Sequence, residues 1–157
     1  MHSGNERPLQ PAPMSSQLLS LSTSQPFQCL PLTDAVRDFI RLHGEREGAV
    51  SISGLHTTTA LIVNEMEERL LMDLEHWLDQ LASASASWKH NDLDLRPDIP
   101  ADEPRNAHAH LQALVLGNQV MVHVTNGEPV LGTYQDVILV ELDGPRQRRV
   151  SLQWLSA

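Results

Sequence analysis

The stretch QVMVHVTNG, residues 119–127, is the part of the sequence that decides the fold class. Val120, Val122 and Val124 recur at every second position, which is the period of a β-strand with one buried face. Asn126-Gly127 follows directly, and this dipeptide favours a two-residue hairpin turn. The sequence therefore predicts two antiparallel strands that are joined at this turn.

More β-structure is expected on the C-terminal side of the turn. Residues 130–142 read as one long strand that Gly132 interrupts, as at a bulge or a close approach of another backbone. Asp143-Gly144-Pro145 predicts the next turn, and residues 148–155 predict a final strand. Consecutive strands joined by short turns pair antiparallel, with helices packed on one side.

The preceding part of the chain alternates between further strands and helices. Strands are predicted at 17–23, 27–32, 49–55 and 58–63, and helices at 33–47, 66–81 and 106–116. Thr33 is the expected cap of the first helix, with Gly48 just past its end. The predicted fold class is α+β, an antiparallel β-sandwich-like sheet with two or three helices packed on it. Residues 1–15 contain three prolines and predict a disordered tail before a single domain over 16–157.

Composition excludes several classes of function. The formal net charge of −9 counts against a nucleic-acid binder, because phosphate backbones repel an acidic surface. Cys29 is the only cysteine, so no intrachain disulfide can form. No apolar run approaches the roughly 20 residues that span a bilayer, and the N-terminus lacks the pattern of a signal peptide. We expect a cytoplasmic protein that binds neither nucleic acid nor membrane.

Histidines are the main candidates for chemistry, because imidazole is a common general acid or base and a common metal ligand. His56 ends a predicted strand, where its side chain can point into a cleft, and His90 begins a long loop. Asn106 and His110 share one face of a predicted helix, whereas His108 points away from His110. Taken singly, His56 can also be a satisfied edge residue, and His90 a solvated loop residue.

Two polar pairs are further candidates. Asn64 and Glu65 follow a predicted strand and could supply an amide and a carboxylate, or could instead cap the next helix. Thr133 and Gln135 would project to the same face of a strand beside Gly132.

Signals for the commoner enzyme classes are missing from the sequence. There is no phosphate-binding glycine loop, dinucleotide fingerprint or nucleophile elbow. Arg146, Arg148 and Arg149 form the one basic cluster, which we interpret as a solvated strand edge rather than an anion site. The residues alone therefore predict a histidine-rich cleft.

A set of short motifs in a fixed order adds to this interpretation. They are His56-Thr-Thr, Asn64-Glu65, Lys89-His90, Asn106-Ala-His-Ala-His110-Leu, Leu116-Gly117, Leu131-Gly132-Thr133-Tyr134-Gln135 and Asp143-Gly144-Pro145-Arg146. Their order and spacing, from about Leu18 to the C-terminus, resemble the YjbQ family, also called the secondary thiamine-phosphate synthase family. The resemblance implies an α+β sandwich that assembles as a homotrimer.

The resemblance also implies a site and a reaction. The implied site consists of His56, His90 and His110, with Asn64, Glu65, Thr133 and Gln135 as neighbours. Three converging imidazoles would suit zinc or a similar divalent ion, and without metal they could act as general acids and bases. The implied reaction couples a pyrimidine pyrophosphate to a thiazole phosphate and releases pyrophosphate, whose charge magnesium would neutralise. We expect the cluster to be completed between subunits.

Three functional hypotheses stay open at this point. The first is an enzyme that uses the histidine cleft on a small phosphorylated or heterocyclic substrate, and the second is a non-catalytic ligand- or metal-binding oligomer. The third is a metal-dependent hydrolase. The sequence departs from the family pattern at His108, Glu128 and Tyr134, where the family has aspartate, arginine and tryptophan.

Overall fold

The computed structural model describes residues 15–156. The expected tail at 1–15 lies, apart from Ser15, outside the described residues. The strands are β1 (Ser16–Ser22), β2 (Gln28–Pro31), β3 (Gly48–Gly54), β4 (Thr59–Asn64), β5 (Gln119–Thr125), β6 (Glu128–Pro129), β7 (Asp136–Glu141) and β8 (Gln147–Ser156). The helices are α1 (Thr33–His43), α2 (Glu68–Leu81) and α3 (Ala107–Leu116), with short 3₁₀ turns at Lys89–Asn91 and Leu93–Leu95.

The strands pair antiparallel, as the sequence predicts, and they form two sheets. Five strands pair in the order β1-β8-β3-β5-β6, and three pair in the order β2-β7-β4. β3 and β4 follow each other in the chain but belong to different sheets. The connection between them, which carries His56, therefore crosses from one sheet to the other.

The three-stranded sheet is buried on both faces, and β7 shows how. Val137 and Leu139 belong to a core shared with the five-stranded sheet and α1. Ile138 and Val140 alternate with them and belong to a second core with α2 and α3. A strand covered on both faces reads as a continuous apolar run. The helices consequently lie on both sides of this sheet, not on one side as expected.

The region predicted as one strand at 130–142 is interrupted by a turn. The Gln135 N–H donates to the Gly132 carbonyl over 3.0 Å, and the Gly132 N–H donates to Gln135 Oε1 over 2.8 Å. These two hydrogen bonds close a turn between β6 and β7. Thr133 and Gln135 are exposed in it and do not share a strand face.

Two helix ends differ from the prediction because another residue makes the cap. α1 ends at His43, where Gly44 adopts φ +86° and donates its N–H to the Ile40 carbonyl. Glycine adopts this left-handed conformation without steric cost. The Glu67 carboxylate caps α2 by accepting the N–H groups of two residues in its first turn at 3.0 and 2.7 Å. Asn64 and Glu65 are therefore not its caps. No helix within residues 15–156 has the length and apolar character to cross a membrane.

Candidate functional site

His56 and His110 line the same cavity, which has a volume of about 300 Å³. His56 comes from the β3–β4 connection and His110 from α3, which packs on β4. The remaining walls are Thr57, Thr59, Ala113, Leu114, Gly117 and Asn118. This volume is at the lower end of the range for small-ligand sites, so the cavity suits a compact molecule or part of a larger one.

The segment after α3 fixes the distance between the two histidine-bearing elements. The Gly117 carbonyl accepts the Leu61 N–H at 3.0 Å, and the Asn118 carbonyl accepts the Gly54 N–H at 2.8 Å. One dipeptide thereby ties the end of α3 to β4 and to the last residue of β3. Backbone hydrogen bonds of this kind hold a cavity open with little dependence on side chains.

His90 contacts His110 but does not line the cavity itself. The two ring centroids are 4.8 Å apart in an edge-to-face arrangement. His90 Nε2 is buried and has no hydrogen-bond partner among the described residues. The Asn91 side chain accepts the Ala107 N–H at 3.1 Å, which holds the loop of His90 against the start of α3. His90 therefore contacts the ring of His110 without being part of the cavity lining.

The charge state of His110 is set by these surroundings. Burial lowers the pKa of His110 below its usual value, and the neighbouring His90 lowers it further. Asp143 and Glu103 oppose this effect only in part. The Asn106 amide donates to the Asp143 carboxylate at 2.6 Å. This hydrogen bond links the residue that precedes α3 to the turn that follows β7. These surroundings favour the neutral imidazole of His110.

His56 is held by a backbone hydrogen bond. The Arg149 N–H donates to His56 Nε2 at 2.9 Å. Burial lowers the pKa of His56, and the positive charges of Arg148, Arg149 and Arg146 act in the same direction. Since Nε2 accepts, the neutral ring carries its proton on Nδ1. His56 therefore offers an N–H donor.

A buried ion pair supports the turn that follows His56. Arg148 and Glu141 are 4% and 0% exposed, and Arg148 donates from Nε and Nη2 to the carboxylate at 2.6 and 2.5 Å. Arg148 Nη2 also donates to Thr58 Oγ1 at 2.9 Å. Burial by itself would raise the pKa of Glu141, but hydrogen bonds from Arg148, the Asp143 N–H and Thr23 outweigh it and lower that pKa.

The Arg148–Glu141 pair was not among the predicted features, although the sequence contains a signal for it. The interpretation of Arg148 as part of a solvated strand edge is wrong, because Arg148 is buried. In β8 it alternates in register with Val150, Leu152 and Trp154, all of which are buried. Extending that period by one step would have placed Arg148 inside, where a charged side chain needs a partner.

Thr59 lines the cavity and has an unpaired, buried hydroxyl. Its side chain is only 1% exposed, and Oγ1 has no hydrogen-bond partner within residues 15–156. Buried hydroxyls normally have a partner, so an unpaired one that lines a cavity is a candidate ligand contact.

His108 faces a different part of the molecule. It lines a separate cavity with Glu75, Asp79 and Gln112, on the side of α3 that faces α2. This agrees with the expectation that His108 and His110 point in different directions.

The other predicted site residues lie away from the histidines within one chain. Thr59 pairs with Glu141 at one end of the β4–β7 ladder, and Asn64 pairs with Asp136 at the other. Five residues of strand span roughly 16 Å. The exposed residues Asn64, Glu65, Thr133 and Gln135 therefore gather at the end of the ladder opposite His56.

A zinc ion held by the three imidazoles does not fit a single chain. Each metal-bound imidazole must present a lone pair to the metal, whereas the Nε2 lone pair of His56 already accepts the Arg149 N–H. Among the described residues, no group of three or more His, Cys, Asp or Glu side chains is arranged to hold a metal ion.

Comparison with known proteins gives a consistent family match. The family described as UPF0047 protein YjbQ-like matches residues 17–157. A UPF0047 protein of Archaeoglobus fulgidus is 38% identical over 137 residues, covering 87% of this chain and 98% of the relative. One from Methanothermobacter thermautotrophicus is 37% identical over 135 residues, covering 86% and 87%.

Solved structures show the same fold. A YbjQ-like protein of unknown function from Sulfolobus solfataricus superposes with a TM-score of 0.81 at 34% identity, covering 90% of this chain and 96% of that one. An uncharacterised protein of the YjbQ/UPF0047 family from Clostridium acetobutylicum gives 0.78 at 27% identity, covering 88% and 99%. The predicted α+β fold and family resemblance are confirmed.

Proposed function

Because the chain belongs to the YjbQ-like UPF0047 family, we propose that it is an enzyme acting on a small molecule in the cavity between His56 and His110. The observation that carries the proposal is the convergence of these two imidazoles, from separate elements, on one cavity with the unpaired Thr59 hydroxyl. A site with few polar groups in a partly apolar cavity is typical of small-molecule binding.

The two histidines have complementary roles in this proposal. His110 is the candidate acceptor of a hydrogen bond from the substrate, because its lowered pKa favours the neutral imidazole. The coupling itself releases no proton. His56 is the candidate donor, because its Nε2 is occupied and its proton lies on Nδ1. His90 contacts His110 and would orient it.

The proposed reaction is the one that the family's alternative name suggests. A carbon–oxygen bond of the pyrimidine pyrophosphate breaks, the pyrophosphate leaves with the electron pair, and the thiazole nitrogen bonds to that carbon. Hydrogen bonds from His56 and Thr59 would stabilise the charge that develops on the leaving oxygen. Magnesium would enter with the pyrophosphate, since it binds substrate phosphates more readily than a protein cage.

Assembly as a homotrimer is part of the proposal. Leu114 at the cavity wall is 80% exposed, and Val115 beside it on α3 is 59% exposed. Adjacent exposed apolar side chains at the mouth of a site suit coverage by a second copy of the chain. Such an arrangement could bring the group around Asn64 and Gln135 of one copy to the cavity of the next.

The test is pyrophosphate release by the purified chain incubated with the two phosphorylated substrates and magnesium. His56→Ala should lower the rate by about a hundredfold or more, because it removes a donor to the leaving oxygen. His110→Ala should lower it by about tenfold, because it removes one hydrogen bond to the substrate. His123→Ala is the matched control, because His123 is exposed on the outer face of β5. Unchanged release by folded His56 and His110 variants would refute the proposal. Saturable substrate binding without release would favour a binding protein.

A further inference from the structure

We propose that His56 is a fixed N–H donor to an anionic oxygen of the ligand and is not a metal ligand. The inference deepens the proposed function and rests on its assignment of the cavity as the ligand site. It also runs against the expectation of a three-histidine zinc centre.

The direction of one hydrogen bond carries the argument. A backbone N–H can only donate, so the Arg149 N–H at 2.9 Å requires an acceptor lone pair on His56 Nε2. A neutral imidazole has one such lone pair, and its other nitrogen bears the proton. His56 Nδ1 is therefore N–H, and no described residue accepts its hydrogen bond.

The ring is held in this orientation by the residues around it. Both backbone groups of Arg149 bind the segment that carries His56, because the Arg149 carbonyl also accepts the Leu55 N–H at 3.1 Å. Arg148 binds the far side of the same turn through Thr58 at 2.9 Å, and Glu141 anchors Arg148. Both ends of the turn are thus attached to neighbouring residues of β8. For a metal to bind through Nε2, the hydrogen bond from Arg149 would have to break.

The donors of the cavity favour one kind of ligand group, whereas His110 can accept a hydrogen bond from another part of the ligand. His56 contributes an N–H, and the unpaired Thr59 hydroxyl can donate as well. Two donors in a small cavity favour a ligand with an anionic oxygen, such as a phosphate or a carboxylate. A ligand amine would be disfavoured at His56, because both groups would present hydrogen-bond donors to each other.

The experiment is long-range ¹⁵N NMR of the full chain labelled at histidine, with His56 assigned from the His56→Gln variant. We expect a proton on Nδ1 and an unprotonated Nε2 at neutral pH. Adding Zn²⁺ should leave both His56 signals in place, whereas inorganic pyrophosphate or malonate should shift Nδ1. The two anions distinguish a phosphorus oxyanion from a carboxylate.

Two variants test what positions the ring. Thr58→Val keeps the side-chain shape but removes the acceptor of Arg148, and should weaken binding of the preferred anion about fivefold. Arg149→Ala retains the backbone N–H and should keep the Nδ1–H form, which separates the backbone hydrogen bond from the Arg149 side chain.

Three results would overturn the inference: a proton on Nε2, a Zn²⁺-dependent shift of His56 that the His110→Ala variant retains, or no response to either anion. The tautomer is read in the absence of substrate. If the proposed reaction does not occur, the inference about His56 is unaffected. If the enzyme is active but His56 binds a metal, the inference is refuted and the proposed function is not.

Discussion

The buried Arg148–Glu141 pair gives the sharpest prediction for stability. Glu141 is fully buried and accepts hydrogen bonds from Arg148, from the Thr23 hydroxyl at 2.9 Å, and from the N–H groups of the next two residues at 3.0 and 2.9 Å. Glu141→Gln keeps the shape of the side chain but leaves the guanidinium charge without its counter-ion. Breaking a buried pair in this way costs about 3–5 kcal/mol.

This loss is large compared with the total free energy of unfolding, which is about 5–15 kcal/mol for a domain. Urea unfolding followed by tryptophan fluorescence should show a lower midpoint with an unchanged slope. Arg37→Ala is the control, because Arg37 is half exposed and its ion pair with Asp34 spans 3.2 Å at the surface. Its loss should change stability by less than about 1 kcal/mol.

The result also depends on pH. Because the pKa of Glu141 is lowered on folding, the pair stabilises the protein above the ordinary carboxyl pKa, and this contribution disappears as pH falls through the lowered value. The stability difference between wild type and Glu141→Gln should therefore narrow in acid. A Glu141→Gln protein within 1 kcal/mol of wild type at neutral pH would refute the reasoning, since about 3–5 kcal/mol is expected.

Three further measurements follow from the same structure. The pKa values of His56 and His110 are lowered on folding, so the unfolded chain binds more protons than the folded chain just below the ordinary histidine pKa. The free energy of unfolding should therefore decline as pH falls through that range. Urea titrations of variants with alanine at either position should show a smaller decline. Burial raises the pKa of Cys29 to about 11, so the folded protein should react with iodoacetamide at pH 8 far more slowly than the urea-unfolded chain, and equal rates would contradict this. Gly48→Ala should destabilise by about 1–3 kcal/mol, because the added Cβ would lie 2.7 Å from the Leu155 carbonyl oxygen; a melting temperature equal to that of wild type would exclude this contact.

Elements with a clear local signal could be predicted from the sequence. β5 has the predicted bounds because three alternating valines and the Asn126-Gly127 turn are local features. α3 likewise ends just before Gly117, as expected of a helix followed by glycine. In these segments the backbone conformation follows from neighbouring residues alone.

The arrangement of the site depends on contacts that no local pattern contains. The chain passes from one sheet to the other at His56, and this determines which residues approach that histidine. The pairing of Thr59 with Glu141 then places Asn64 and Gln135 at the far end of the same ladder. The order of the motifs along the chain predicted one site for all of these residues. The strand register instead places them in two groups at opposite ends of the ladder.

The location of the Arg148–Glu141 pair is better explained by function than by stability. Apolar side chains of similar volume often stabilise a fold as well as a buried ion pair does. This pair, however, also fixes Thr58 in the turn after His56, which an apolar replacement cannot do. The double variant Glu141→Gln/Arg148→Met removes the unpaired charge, while the amide oxygen still accepts the N–H groups of the next two residues. It should therefore recover much of the stability lost in Glu141→Gln but should bind the anion more weakly than wild type. Calorimetric titration with pyrophosphate measures the second effect, and full affinity in the stable double variant would show that the pair does not position His56.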